Sequence, residues 1–447
     1  MVGSWIVRGI DQGNMGKAQM SGWRAYSADP SQLGGLGQGE HAILPGSASR
    51  APLSLGMVFL LLFTMIVIGR VTEAFPGLES LRLGLVTGGI GLFLWMFSRS
   101  SIGEKLPTEI PQVKYVLVLL GLAVVTIPTG IWPGGSFMIV TGGYIKTVLF
   151  FVLVIYWCRS LQDVRRMIWA CCLGLTAQVV YGLLAGQMVG GRFHAASSTY
   201  DPNDLALVLA MFLPLMIYLL SSSGPIAKLV VVGMVATFLY GFILAQSRGG
   251  FLALLVIGCL IIFRSRLSRP SKLFLVGITL VVFGALAGSS FWDRIETIWD
   301  PKTEYDRTAG GRTWIWKTGL TIMATQPWGV GAGSFVIAEG MSHGGEGKFE
   351  AAHNTFLQVG VELGVMGLAV FLLLFVRSLK DLSRIQAGLT SWGKDAGVVA
   401  LASALEVGIW GFLVGSLFLE TAYSPSTYLM VALTVVCARL GRPSVSS

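Results

Sequence analysis

Four short stretches carry the residue types that could do chemistry. Gly191-Arg192-Phe193-His194 leads into Ser197-Ser198-Thr199-Tyr200-Asp201-Pro202-Asn203-Asp204, Gln246-Ser247-Arg248-Gly249-Gly250 links two apolar runs, Arg312 follows Gly310-Gly311 close to Arg307, and His353-Asn354 stands at the head of a long apolar run. Arginine offers a planar fork of donors that matches phosphate oxygens two at a time and stays charged at any working pH. Two or three of them facing one cavity make a diphosphate clamp. Histidine is the side chain most readily used as a base near neutral pH. The glycines after Arg248 suit a turn whose free N–H groups point outward at an anion.

Each stretch also has a structural reading. Asp201 or Asn203 can cap the helix that follows, and Asn354 can cap the next with His353 incidental. Arg248 can snorkel to headgroups and Arg312 can meet lipid phosphate. On the residues alone both readings stand open. His41 lies in an N-terminal tail and His343 in a Gly-rich stretch. No HExxH or CxxC spacing and no P-loop appears, so neither a metal, a cofactor nor a nucleotide is indicated.

The elements that must position these residues follow from composition. Of 447 residues 53% are hydrophobic and only 12% charged, whereas a soluble domain carries about 25% charged residues. That deficit excludes a water-soluble enzyme and points to an all-α polytopic membrane protein of about twelve transmembrane helices, each needing roughly 20 residues. Apolar runs fall near 53–69, 80–97, 113–132, 144–158, 167–189, 205–220, 229–245, 249–263, 273–289, 354–376, 396–418 and 426–438. Cys158, Cys171, Cys172, Cys259 and Cys437 lie within or beside them and form no disulfide framework. The net charge of +9 is scattered in small clusters between runs rather than along one face, which argues against nucleic acid.

Those clusters report orientation. With the N-terminus inside, Lys and Arg concentrate on alternate connections, as in Arg159, Arg165 and Arg166, then Arg264, Arg266, Arg269 and Lys272, then Arg377, Lys380, Arg384 and Lys394. The short connections on the other side hold only Arg70, Arg82, Arg192 and Arg248. By the enrichment of cytoplasmic loops in basic residues, both termini are cytoplasmic: a flexible tail at 1–52, a transmembrane domain at 53–438 and a short tail at 439–447.

One outside connection, 290–352, is far longer than the rest, and loops beyond about 12–15 residues inside a domain are usually functional or disordered. Its GGRTWIWKTGLTIMAT stretch repeats Trp314, Ile315, Thr318 and Ile322 at helical spacing, with Gly310-Gly311 before and Pro327 after. This predicts a helix lying at the membrane interface with its tryptophans at headgroup level.

SRGGFLALLVIG, GGRTWIWKTGLTIMATQPWGVGAGSF and AHNTFLQVGVELGVMGLAVFLLLF, in that order and topology, resemble the O-antigen ligase and O-antigen polymerase superfamily of bacterial envelopes. YDPNDLALVLAMFLPL extends the likeness upstream, so that it covers roughly residues 190–380. The resemblance implies a multi-pass glycosyltransferase of the bacterial inner membrane, acting on the periplasmic face. Its donor is a glycan on undecaprenyl diphosphate, its acceptor lipid A-core or another glycan, and it needs no metal and inverts the anomeric carbon. Carried onto this chain, His353 is the base that activates the acceptor hydroxyl, and Arg248 and Arg312 bind the diphosphate. Arg192, Asn354, Asp201 and Asn203 join the substrate-binding set. The late position of the long loop favours ligase over an O-antigen or exopolysaccharide polymerase. A lipid-linked glycan transporter is the rival from another class. It is disfavoured because the charges cluster at the outer mouth and the two halves of the chain do not repeat.

Overall fold

A computed structural model describes residues 53–102, 109–185, 188–189, 191–194, 200–265, 268–274, 311–342, 349–388 and 395–441, with isolated positions at 277, 284, 288, 292 and 344. The N-terminal tail, residues 442–447 of the C-terminal tail, most of the 273–289 run, the opening of the long loop with Arg307, and both His41 and His343 lie outside the described residues.

The described chain is helical apart from a two-residue hairpin, β1 (Met188–Val189) and β2 (Arg192–Phe193). The first helices are α1 (Leu55–Val67), the short α2 (Val71–Ala74) and α3 (Pro76–Glu79), α4 (Leu83–Ile102), α5 (Pro111–Thr129), α6 (Pro133–Ile139), α7 (Ile145–Trp157) and α8 (Leu161–Leu184). After the hairpin come α9 (Pro202–Ser222), α10 (Pro225–Ala245) and α11 (Arg248–Arg264). They are followed by α12 (Arg312–Thr325), α13 (Phe335–Ser342), α14 (Thr355–Glu362), α15 (Gly364–Gln386), α16 (Ala396–Gly415) and α17 (Pro425–Leu440). Among the described residues, six segments are long and apolar enough to cross a bilayer: α5, the continuous 133–157 stretch, α8, α9, α10 and α16; α1, the Leu83–Ser98 part of α4, and α17 are shorter apolar helices. The protein is thus an all-α membrane protein.

Local chemistry sets the helix starts. Ser160 and Asp163 form a reciprocal capping box on α8, and Asp395 caps α16. Proline occupies the first position of α5, α9, α10 and α17, where its missing N–H costs nothing. A π-helical turn, Val140–Tyr144, joins α6 to α7 in one apolar rod. It carries Tyr144 into the core, where its hydroxyl shares a 2.7 Å hydrogen bond with that of Tyr428.

Burial sorts the long helices. α9 has 78% of its apolar stretch buried and packs against α8, α10, α11 and α16, so it is the central pillar. α10 has only 33% buried, and Ile226 and Leu229 on it are largely exposed. That outer face is apolar surface that no other described residue covers. Small residues let α16 approach closely: Gly415 lies against Leu207, Gly411 against Ile257 and Gly408 against the Met211 carbonyl, the packing device of helices that lack a hydrophobic drive between them.

The apolar run 354–376 predicts one helix, but the structure divides it at Leu363–Gly364 into α14 and α15. The cause is the 326–334 segment, which inserts at the break. The N–H groups of Val330 and Gly331 donate to the carbonyls of Val361 and Glu362 (2.9 and 3.1 Å), and the Val365 N–H donates to Pro327 (2.9 Å). Gly364 turns there at φ 74°, and a Cβ on it would stand 2.4 Å from the Pro327 carbonyl oxygen. We expect Gly364→Ala to lower thermal stability by more than the roughly 1–2 kcal/mol of left-handed strain alone. Unchanged melting of the detergent-solubilised variant would show that the break is not held this way.

Candidate active site

The long loop supplies the first wall. α12 starts at Arg312 and ends at Thr325, as the spacing of its apolar residues predicts, and buries Ile315, Thr318, Gly319 and Ile322. These side chains do not simply lie on a membrane surface. Ile315, Ile322, Val330, Phe335, Ala338, Leu357 and Val361 form a second apolar cluster, apart from the main core, that fastens α12 and α13 to α14. Gly319 sits so close to Leu357 that any side chain there would collide. Arg312, half-buried, is therefore held at the first turn of a helix with a firm base.

His353 is the last residue but one before α14, in a left-handed conformation at φ 45°. A histidine there is strained, and such strain persists only when neighbours hold it. The neighbours are the 416–424 segment between α16 and α17. Glu420 Oε1 accepts the His353 N–H at 3.3 Å. Thr355 donates its N–H to Ser416 (2.8 Å) and its hydroxyl to Leu419 (2.7 Å), and receives the Thr421 N–H at 3.0 Å. Trp316 of α12 donates its indole N–H to the Ala352 carbonyl (3.0 Å) and lies against Phe418, 6.4 Å between ring centres. One segment thus grips both the Arg312 helix and the His353 turn.

Electrostatics couple the two residues directly. Burial first, and then the Arg312 cation, hold the His353 imidazole below its ordinary value of 6.5; Asp201 and Glu350 oppose the shift. His353 is consequently neutral at pH 7, the form a base requires. Burial pushes the Glu420 carboxyl up, and the N–H groups of Ala352 and His353 that it accepts pull it partly back. Glu420, which braces the His353 turn, is a residue that the motif reading passed over. Its only signal was a carboxylate in an otherwise apolar connection between two spans. We expect Glu420→Ala to lower kcat about 10²-fold with KM little changed, because a small displacement of a base is enough for that loss. Glu420→Gln, whose amide oxygen still accepts the N–H, is expected to recover most of the rate; equal defects in both variants would remove Glu420 from the positioning of His353.

Arg248 opens α11 behind Ser247, whose buried hydroxyl accepts the Gly250 N–H at 3.1 Å. The two glycines therefore differ from the anion-binding turn that the sequence suggests. Gly249 is pressed against Phe418 and Gly250 against Ala206, with room for no side chain. They are small so that α11 can meet α9 and the 416–424 segment, and this brings the half-buried Arg248 to the same end of the molecule. The turn is completed by Gln246 in a left-handed conformation, φ 48°.

The remaining residues brace this end. Arg192 donates from Nε to the Ala245 carbonyl (3.0 Å) and from an amino group to Asn203 Oδ1 (2.7 Å), linking the hairpin to α10 and α9. Asp201 caps α9 by accepting the N–H groups of Asn203 and Asp204, both at 2.7 Å. Asn354 caps α14, its side-chain oxygen accepting from Phe356 and Leu357 at 3.0 Å each. The capping readings of Asp201 and Asn354 are the observed ones. No group of His, Cys, Asp or Glu fit to hold a metal gathers among the described residues. Among the described residues, the cations at this end that could meet an anion are the arginines Arg248 and Arg312. With one base and these cations, the site can take a proton from a hydroxyl and receive negative charge on a leaving group.

Residues 232–372 match the family model described as O-antigen ligase, a match over about a third of the chain that supports the resemblance to the O-antigen ligase and polymerase superfamily. The match spans Arg248, Arg312 and His353. No curated protein matches the chain.

Proposed function

We propose, with that match as the premise, that the protein is an O-antigen ligase. It transfers a glycan from undecaprenyl diphosphate to a hydroxyl of lipid A-core on the periplasmic face of the inner membrane. The acceptor oxygen forms the new glycosidic bond as the bond between the anomeric carbon and the diphosphate breaks, with inversion. The acceptor proton passes to the His353 imidazole, and the electron pair leaves with the diphosphate toward Arg312 and Arg248. A lipid diphosphate is already a good leaving group. Placed positive charge and the alignment of two partners are therefore the main requirements.

The observation that carries this reading is the pairing of His353 with Arg312. A cation that would receive the leaving group adds to burial in keeping the base unprotonated. The test is the envelope glycan profile of a deletion strain complemented with the wild-type gene. Long chains left on the lipid carrier, with none on lipid A-core until complementation, support the ligase. Single repeats accumulating instead make the protein a polymerase on the same site. An unchanged profile overturns both.

A further inference from the structure

The proposed chemistry leaves one buried carboxyl near its base without a task. Glu362 closes α14 at the Leu363–Gly364 break and is only 2% exposed. Burying such a group is unfavourable unless donors meet its oxygens. For Glu362 they come from two other segments. Oε1 accepts the Phe335 N–H at 3.3 Å, and the carboxyl accepts the Gly333 N–H as well. Oε2 accepts the Tyr423 hydroxyl at 2.6 Å.

An apolar side chain could not replace these bonds. Phe335 is the first residue of α13, and the first N–H groups of a helix have no partner within it. Glu362 thus serves from another helix as a capping side chain serves locally. Tyr423 is itself fixed from behind. Its carbonyl accepts the Thr147 hydroxyl of α7 at 3.1 Å, and its ring centre lies 4.9 Å from that of Tyr144 on the π-helical turn.

The two donor segments are the ones that hold the proposed reacting groups. Tyr423 lies near the end of the 416–424 segment, which grips the His353 turn through Ser416, Leu419 and Glu420. Phe335 leads α13, which shares the second apolar cluster with α12, the helix that starts at Arg312. α14 runs between them, its eight residues spanning roughly 12 Å at 1.5 Å each. It is tied to the 416–424 segment at both ends, by Thr355 at the start and by Glu362 at the finish.

We propose that Glu362 is a positioning residue: through Tyr423 and the head of α13 it fixes the His353 turn and the Arg312 helix relative to each other. The proposal rests on the reading of His353 and Arg312 as base and leaving-group cation, and adds what sets the placement of one against the other.

The test uses the full chain in detergent. Tyr423→Phe keeps the ring and loses the hydroxyl; it is expected to lower kcat about tenfold with KM unchanged, and Glu362→Ala about 10²-fold, the loss that a misplacement of about 1 Å produces. Glu362→Gln is expected to recover most of the rate, because its amide oxygen still accepts the N–H groups while its NH₂ donates to the Tyr423 oxygen. The pH profile adds a readout that a smaller folded fraction would not move. The charged groups facing His353 are Arg312, Asp201, Glu350 and Glu420. Burial and Arg312 hold its pKa down, so a turn loosened toward water and away from Arg312 protonates at higher pH. The acidic limb of Glu362→Ala therefore moves up toward 6.5.

Backbone hydrogen exchange without substrate is expected to quicken at 353–357 and 416–424 in Glu362→Ala and Tyr423→Phe, and to stay as in wild type along α9. Wild-type kcat, limb and exchange in both variants overturn the proposal, as does a Glu362→Gln defect as deep as that of alanine. Should His353→Ala transfer at full rate, the catalytic reading falls and exchange alone decides: quickened at both segments, the brace stands; unchanged, it is overturned.

Discussion

His353→Ala is expected to reduce glycan transfer by about 10²–10⁴-fold, the usual worth of a positioned general base, while the protein still inserts and folds. The side chain is half-buried and its hold on the surrounding turn is through the backbone N–H to Glu420, which alanine keeps. Loss of the imidazole therefore removes the base with little else. In the wild type, burial and Arg312 depress the His353 pKa, so the neutral base persists below pH 6.5 and the rate falls only at more acidic pH. The measurement is transfer rate against pH with purified donor and acceptor. Full activity in the variant would take His353 out of the mechanism, and an acidic limb centred above 6.5 would contradict its environment.

Arg312→Ala is expected to cost about 10²–10³-fold in kcat, the loss typical when one donor aimed at developing charge is removed. Arg312→Lys should fall between the two, because an ammonium keeps the charge and loses the two-pronged fit to phosphate. The pH profiles separate these effects. Removing the cation relieves the depression of His353, so the acidic limb of the residual Arg312→Ala activity should move to higher pH. In Arg312→Lys it should stay near that of wild type. Identical limbs in all three proteins would show that Arg312 and His353 act independently. Because Arg312 stands on α12, whose buried face is Ile315, Thr318, Gly319 and Ile322, neither substitution disturbs the packing that holds the helix.

Much of this candidate site was proposed from the sequence, and for a physical reason. An ionisable side chain beside hydrocarbon is costly, so Arg248, Arg312 and His353 stood out against apolar runs. The α12 helix was legible because glycines before and a proline after bounded a periodic apolar stripe. Capping by Asp201 and Asn354 was an open alternative that the hydrogen bonds decided. Glu420 and the anchoring role of Arg192 were not legible. Their partners, His353 in one case and Ala245 and Asn203 in the other, lie 67, 53 and 11 positions away along the chain.

By itself, then, the sequence determined what solvent and charge dictate: a helical protein of the membrane, its apolar runs, the helix within its long loop, and the residues whose cost demanded a use. Only the tertiary structure decided which of them meet. A break in the 354–376 run depends on backbone groups of Pro327, Val330 and Gly331 arriving from another segment. The size of Gly249 and Gly250 is explained by Phe418 and Ala206 rather than by an anion. The neutral state of His353 follows from burial and from a cation 41 residues earlier in the chain. Local pattern carries hydrophobic periodicity and capping, because those act within a few residues. Close approach, desolvation and charge coupling act through space, and exist only once the helices have packed.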